Sequence, residues 1–435
     1  MGMQVPEPVE PVVLESIGII NALRRGTVPA QGLSRFAVGL ESEEQAIRDQ
    51  LRLVARSGAD IKAVRGEYGS GKTFLISRAL EIAREEGFVT ARVPLSPTNP
   101  LYKLSTIYTR MMTSLVAGGE ENALRSLIDG WLFAIEERVR NRDAGSLNDQ
   151  GLIDSLVLKE VEHALSDISE IHSSLAAMIR TYYQASDAGD FKTAQAAIGW
   201  LAGESQVGRG VKQQAGIRGG VDDGSVLSFM QVVSLVARGA GYLGCALALD
   251  ELEITQSLPR NLRDRGYRNL VQIIDALDGG LLPHWFIIIG GTPLLYDGAR
   301  GMKSVPPLYE RIGMVPEHAG FPNPRQTQIV LKSFDARKLE EVALRVTGVY
   351  ASAYGEVDRN RISHRFIRTM VERICSHFGG RIDVMPRIFL REFVDILDKC
   401  DLYPDFDPMA GYDISPESLG PVLTEEEKAV IRISW

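Results

Sequence analysis

Apolar positions recur along this chain in two rhythms. Spaced three and four apart, they predict amphipathic helices. Ile17, Ile20 and Leu23 mark one over residues 16–25 that ends at Gly26, and a second is expected from about 42 to 57. Leu75, Ile76, Leu80, Ile82 and Ala83 mark a third over 73–86 that stops at Gly87. Elsewhere the apolar residues run on unbroken, which suits strands buried on both faces. Such runs lie before Gly66, at 88–95, at 242–249 leading into Asp250, at 283–291 and at 326–331. Strand, helix, strand in this spacing is a βαβ unit, so the expected class is α/β with a parallel sheet flanked by helices.

Two regions depart from that alternation. Residues 102–115, 121–140, 151–165, 168–184 and 191–201 read as successive helices rich in Leu, Ala and Ile, and 226–240 as another. They make a large helical insertion. After Asp335, a helix cap, the stretches 335–352, 361–378 and 386–399 form a small all-helical bundle. Residues 401–435 carry Pro404, Pro408, Pro416 and Pro421 and read as an extended tail.

The stretch that organises the rest is Gly66-Glu67-Tyr68-Gly69-Ser70-Gly71-Lys72-Thr73-Phe74, set between a strand and a helix. Its spacing is that of a phosphate-binding loop. The glycines allow backbone geometries that turn successive N–H groups toward one anion. The helix beginning near Lys72 adds its positive dipole end, Lys72 reaches the outer phosphates, and the Thr73 hydroxyl suits Mg²⁺.

Asp250 and Glu251 follow a buried strand, where ligands sit in open α/β sheets. With the loop at 66–73, they read as an acid that holds Mg²⁺ through water and a base that orients or deprotonates the attacking water. Thr292, at the tip of the 283–291 strand, is either a γ-phosphate sensor or a turn residue before Pro293. Arg311 is either an arginine finger acting on a neighbouring subunit or a surface ion-pair partner. Arg387, framed by Pro386 at a first helical turn, either reaches back to phosphate or is structural. Upstream, Val38 and Gly39 are either a turn packed on adenine or an ordinary loop-to-helix junction. The glycine-rich stretch 208–220, with Arg209, Lys212 and Arg218, is a flexible loop for nucleic acid or a partner, or a solvated connector.

Composition narrows the field. At 435 residues and 45% apolar, the chain can fill one large or two ordinary cores. No run approaches the ~18 apolar residues that cross a bilayer, and the N-terminus lacks a basic-then-apolar leader. A cytoplasmic protein is expected. A net charge of −8 argues against a surface that coats DNA everywhere, while leaving room for a local basic patch. Cys245, Cys375 and Cys400 lie far apart and read as buried reduced thiols.

Phosphate loop, acidic strand, polar-tipped strand, arginine and helical lid follow the order of AAA+ and related ATPases, similar to the origin-recognition and STAND branches. Residues 65–75, Gly241-Tyr242-Leu243-Gly244, Leu249-Asp250-Glu251-Leu252-Glu253, Gly290-Gly291-Thr292-Pro293 and Leu308-Tyr309-Glu310-Arg311-Ile312 resemble the ATP-binding proteins of BREX bacteriophage-exclusion systems. The resemblance runs from about Ile17 to Val394. It implies an N-terminal extension and helix at 1–35, an ATPase domain at 36–334 with the insertion at about 101–240, a lid at 335–400 and the tail. It also implies antiviral defence, ATP with Mg²⁺ as cofactors, ATP hydrolysis and a homo-oligomer. A helicase or methyltransferase of the system is the implied partner, with DNA a candidate. Against hydrolysis coupled to assembly or remodelling stands a nucleotide-gated switch or scaffold that recruits a partner with little turnover.

Overall fold

A computed structural model describes residues 10–143, 150–314, 322–377 and 386–410. The chain opens with α1 (Pro11–Arg24), α2 (Glu41–Ala55), β1 (Asp60–Arg65), α3 (Lys72–Glu85), β2 (Val89–Pro94), α4 (Leu104–Thr113), β3 (Val116–Ala117) and β4 (Glu120–Glu121). The helical insertion continues with α5 (Leu124–Asp143), α6 (Gln150–Ile171), α7 (Ser173–Asp187), α8 (Phe191–Leu201), α9 (Arg209–Gln214) and α10 (Val226–Gly239). Then come β5 (Cys245–Asp250), α11 (Ile254–Ser257), α12 (Arg260–Asp278), β6 (Trp285–Gly291), α13 (Pro293–Asp297), α14 (Pro306–Ile312) and β7 (Gln328–Val330). The last helices are α15 (Ala336–Tyr354), α16 (His364–His377) and α17 (Pro386–Leu402).

The seven strands form one sheet in the order β4-β3-β2-β5-β6-β1-β7. β5 pairs in parallel with β2, from Val89 opposite Cys245 to Pro94 opposite Asp250, and with β6, from Cys245 opposite Trp285 to Leu249 opposite Ile289. Every residue of β5 and β6 is buried, which is why both read as unbroken apolar runs. The sheet is not wholly parallel as expected: β3 lies antiparallel to both β2 and β4. Gly118 and Gly119, at φ +57° and +86°, make the two-residue reversal that this hairpin needs.

Two compact units emerge. The first comprises Met1–Glu44, Val64–Glu81 and Val330–Trp435; the second comprises Gln45–Ala63 and Ile82–Ile329. In the first, Asp335 caps α15 by accepting the Lys338 N–H at 2.8 Å. Leu339, Val342, Val346 and Val349 of that helix share a buried core with Ile19, Ile20 and Leu23 of α1 and with Phe366, Phe389 and Phe393. A charged clasp stands at its edge: Arg24 donates from Nε and Nη2 to the two carboxylate oxygens of Asp398, each at 2.7 Å, and Tyr350 donates to the same group. After α17, the guanidinium of Arg361 donates to the carbonyls of Cys400, Tyr403 and Phe406 and so fixes the start of the tail. The remainder of the expected tail, 411–435, and Gly379, Gly380, Arg381 and Met385 lie outside the described residues.

In the second unit the insertion packs around aromatic side chains, with Phe229 5.3 Å from Tyr108 and 5.7 Å from Trp200 between ring centroids. The expected helix break near residue 166 falls instead at His172, whose extended backbone separates α6 from α7. The stretch at 208–220 is no simple flexible loop. It carries α9, buries Val211, and Gly219 accepts the Trp200 indole N–H at 3.1 Å. α12, absent from the sequence expectations, buries Leu270, Ile273, Ile274 and Leu277 along one face.

Cys245 and Cys400 are free and buried, and burial pushes both thiols up from their ordinary value. The side chain of Cys375 lies outside the described residues. Among the described residues no helix is long and apolar enough to cross a membrane.

Candidate nucleotide-binding site

In the first unit, the chain leaves β1 at Arg65, turns through Gly66–Gly71 and enters α3 at Lys72. Gly69 and Gly71 sit at φ +78° and +90°, in the left-handed region that side chains with a Cβ resist. Gly66 is required for another reason: a Cβ there would stand 2.2 Å from Ser70 Oγ. Lys72 Nζ curls back over the loop, donating to the carbonyls of Gly66 at 3.0 Å and Glu67 at 2.9 Å, and lies 5.2 Å from the Tyr68 ring centroid. The buried Ser70 hydroxyl has no hydrogen-bond partner. A helix start offers N–H groups without intrahelical acceptors, so a cradle with an orphaned hydroxyl and an ammonium over the loop fits a phosphate chain. Thr73, the second residue of α3, is partly exposed beside it.

Phe74 stands edge-on to Phe36, with ring centroids 5.2 Å apart, and so ties the loop's helix to the chain before α2. In that segment Val38 is buried and Gly39 adopts φ +64°. A Cβ on Gly39 would come within 2.9 Å of Lys338 Cε, and Arg345 donates to the Ala37 carbonyl. The turn is therefore closed against α15. Arg387 is exposed on the first turn of α17, its Cγ 3.5 Å from where a Cβ on Gly26 would stand.

In the second unit, β5 delivers Asp250 to its C-terminal end. The carboxylate is buried, and both oxygens are engaged: Oδ2 accepts from Arg92 Nη2 at 2.6 Å and Oδ1 from the Glu251 N–H at 3.0 Å. An oxygen donor in that setting suits a hard cation such as Mg²⁺. Glu251 takes φ +59°, a costly conformation for a residue with a Cβ, and its side chain is exposed. Leu252, fully buried, turns the chain back into the core beside it.

Thr292 follows β6 and is buried; its N–H donates to Glu253 Oε1 at 2.8 Å. Arg311, at the end of α14, donates from Nε to Asp275 Oδ1 on α12 at 2.7 Å and from Nη1 to the Pro307 carbonyl at 2.7 Å. Two residues in this unit escaped the sequence reading. Arg92 is signalled only as the single charge in β2, and Glu253 as a third acid after Asp250 and Glu251.

A mainly parallel sheet carrying a glycine-rich loop between β1 and α3, with adjacent acids at the end of β5, defines a P-loop nucleotide-binding protein of the AAA+ type. No curated protein matches the chain. Its family is nevertheless clear: the chain belongs to the BREX system ATP-binding protein BrxC/D family, whose model matches residues 14–415. Among solved structures it is similar to the Aeropyrum pernix ORC2 protein in its ADPNP–ADP complexes. The identity is 13%, over 89% of this chain and 72% of that one, with a TM-score of 0.36.

Proposed function

We propose that this chain, an ATP-binding protein of a BREX defence system by its family, hydrolyses ATP and couples turnover to assembly on, or remodelling of, DNA or a partner helicase or methyltransferase. The observation that carries the reading is the Gly66–Thr73 cradle, with Lys72 poised over it and the Ser70 hydroxyl unpartnered. Loop N–H groups and Lys72 hold the β- and γ-phosphates, and Val38 and Gly39 pack on the adenine. Thr73 and Asp250 hold Mg²⁺, which when bound neutralises charge on the phosphate oxygens. Glu251 takes the proton from a water whose oxygen attacks the γ-phosphorus, as the bond to the bridging oxygen breaks and ADP leaves. Thr292 orients that water or senses the γ-phosphate.

Arg311 acts on the site of a neighbouring copy in a homo-oligomer, and Arg387 reaches phosphate from the 335–400 lid. In this reading 36–334 is the ATPase domain, and the protein works in the cytoplasm. Phosphate release tests it, with and without duplex DNA, in wild type, Glu251→Gln and Lys72→Ala. Turnover lost in both variants is expected. Turnover unchanged in Glu251→Gln removes the assigned base. ATP bound without turnover in the wild type replaces hydrolysis by a nucleotide-gated scaffold.

A further inference from the structure

Asp250 is buried next to a cation that the motif alone does not call for. Burying a carboxylate without a counter-charge is costly, and here the guanidinium of Arg92 supplies that charge from the adjacent strand at 2.6 Å. The position is set by the sheet. Arg92 lies opposite Ala248 in the β2–β5 register and reaches two residues along, toward Asp250. Its side chain is about one-third exposed (36%), whereas that of Asp250 is almost wholly enclosed (6%), so the pair sits at the sheet's C-terminal rim with its cationic side toward solvent.

A divalent cation approaching Asp250 meets this guanidinium. The two cations want the same carboxylate oxygen, Oδ2, and repel each other. The second oxygen keeps the Glu251 N–H whichever cation is bound, because that bond is local to the chain. Loss of Arg92 therefore removes the competitor together with the counter-charge, and leaves the carboxylate tethered through the Glu251 N–H.

We propose that Arg92 is a positioning residue of the hydrolytic site: by its ion pair with Asp250 it holds that carboxylate in the absence of metal and sets how much Mg²⁺ the site requires. The inference rests on the reading of Asp250 as the Mg²⁺-holding acid. It makes the protein a poor binder of Mg²⁺-nucleotide at low free Mg²⁺, with Arg92 released from Asp250 as the metal loads.

The test is a Mg²⁺ titration of nucleotide binding, read by fluorescence of a ribose-labelled ATP analogue, in full-length wild type, Arg92→Gln and Arg92→Lys. The Mg²⁺ midpoint is expected to fall by about tenfold in Arg92→Gln and to stay near wild type in Arg92→Lys, which keeps the charge. Affinity in EDTA should match wild type in both. Melting curves without nucleotide identify any variant that misfolds, and Arg92→Lys guards against that outcome. A midpoint in folded Arg92→Gln that is unchanged or higher overturns the inference alone. Wild-type binding that ignores Mg²⁺ overturns the reading of Asp250, and the inference with it.

Discussion

Glu253 accepts the backbone N–H of Thr292 at 2.8 Å, so the chain just beyond β5 is pinned to the chain just beyond β6. This bond spans 39 residues of sequence and fixes the polar tip of β6 at the carboxyl edge of the sheet. Glu253→Ala leaves the buried Thr292 amide without its acceptor, a loss of about 1–3 kcal/mol. A lower urea midpoint is expected, with Glu253→Gln, which keeps an acceptor oxygen, in between. Equal midpoints for Glu253→Ala and wild type would show that the bond contributes nothing.

Lys72 separates binding from folding. Its ammonium caps two loop carbonyls from a partly exposed position, so Lys72→Met should shift the melting temperature of the nucleotide-free protein little. Loss of charge-assisted bonds to phosphate, about 1.5–3 kcal/mol, should weaken ATP binding by roughly 10- to 100-fold. Calorimetric titration with ATP and Mg²⁺ checks it. Undiminished affinity would remove Lys72 from the site.

Arg311 gives a test of subunit cooperation. Its pair with Asp275 is solvent-accessible, with side chains 32% and 49% exposed, so Arg311→Ala should cost less than about 1 kcal/mol of stability. If it completes a neighbour's site, turnover should drop at least tenfold, and the specific activity of wild type should rise with protein concentration. Catalytically dead Glu251→Gln subunits that keep Arg311 should partly restore activity to Arg311→Ala subunits when mixed. Turnover within twofold of wild type in Arg311→Ala would leave this side chain as an ion-pair partner only.

His284 predicts a pH dependence of stability. It turns the chain into β6 at φ +63°, with Nδ1 3.1 Å from the Val54 carbonyl. Burial pushes its imidazole below the ordinary 6.5; the Val54 bond opposes this and the charge of Arg238 adds to it. Below 6.5 the unfolded chain takes up the proton before the folded one does, so stability falls as pH drops through the window beneath 6.5 and is level above it. His284→Asn tolerates the left-handed backbone and does not titrate. Its urea midpoint should fall less than that of wild type between pH 7 and pH 5. Parallel curves would show that His284 does not carry the effect.

The elements legible in sequence are those whose cause is local. The turn at 66–73 is written in its glycine spacing, because Gly69 and Gly71 need left-handed backbone and Gly66 needs clearance from Ser70 within a few residues. β5 and β6 are legible because a strand covered on both faces has nowhere to place a polar residue until its end. The hairpin of β3 and β4 has its signal in Gly118-Gly119, but its strands of two residues each are too short to show an alternation of their own. α12 carries its own signal, Tyr267, Leu270, Ile273, Ile274 and Leu277 at helical spacing, with Arg260, Arg265 and Arg268 on the exposed face.

Sequence alone thus determined the phosphate loop, the buried strands that end in acids, and the helical character of the insertion and of the C-terminal bundle. Each follows from hydrogen-bond geometry or side-chain periodicity over a handful of residues. Only the tertiary structure decided that Arg92 meets Asp250 across 158 positions, that Arg24 meets Asp398 across 374, and that α1 shares a core with α15 and α17. Ion pairs and apolar contacts of that range carry no local signature. They exist because folding brings together surfaces that are each stable only when covered.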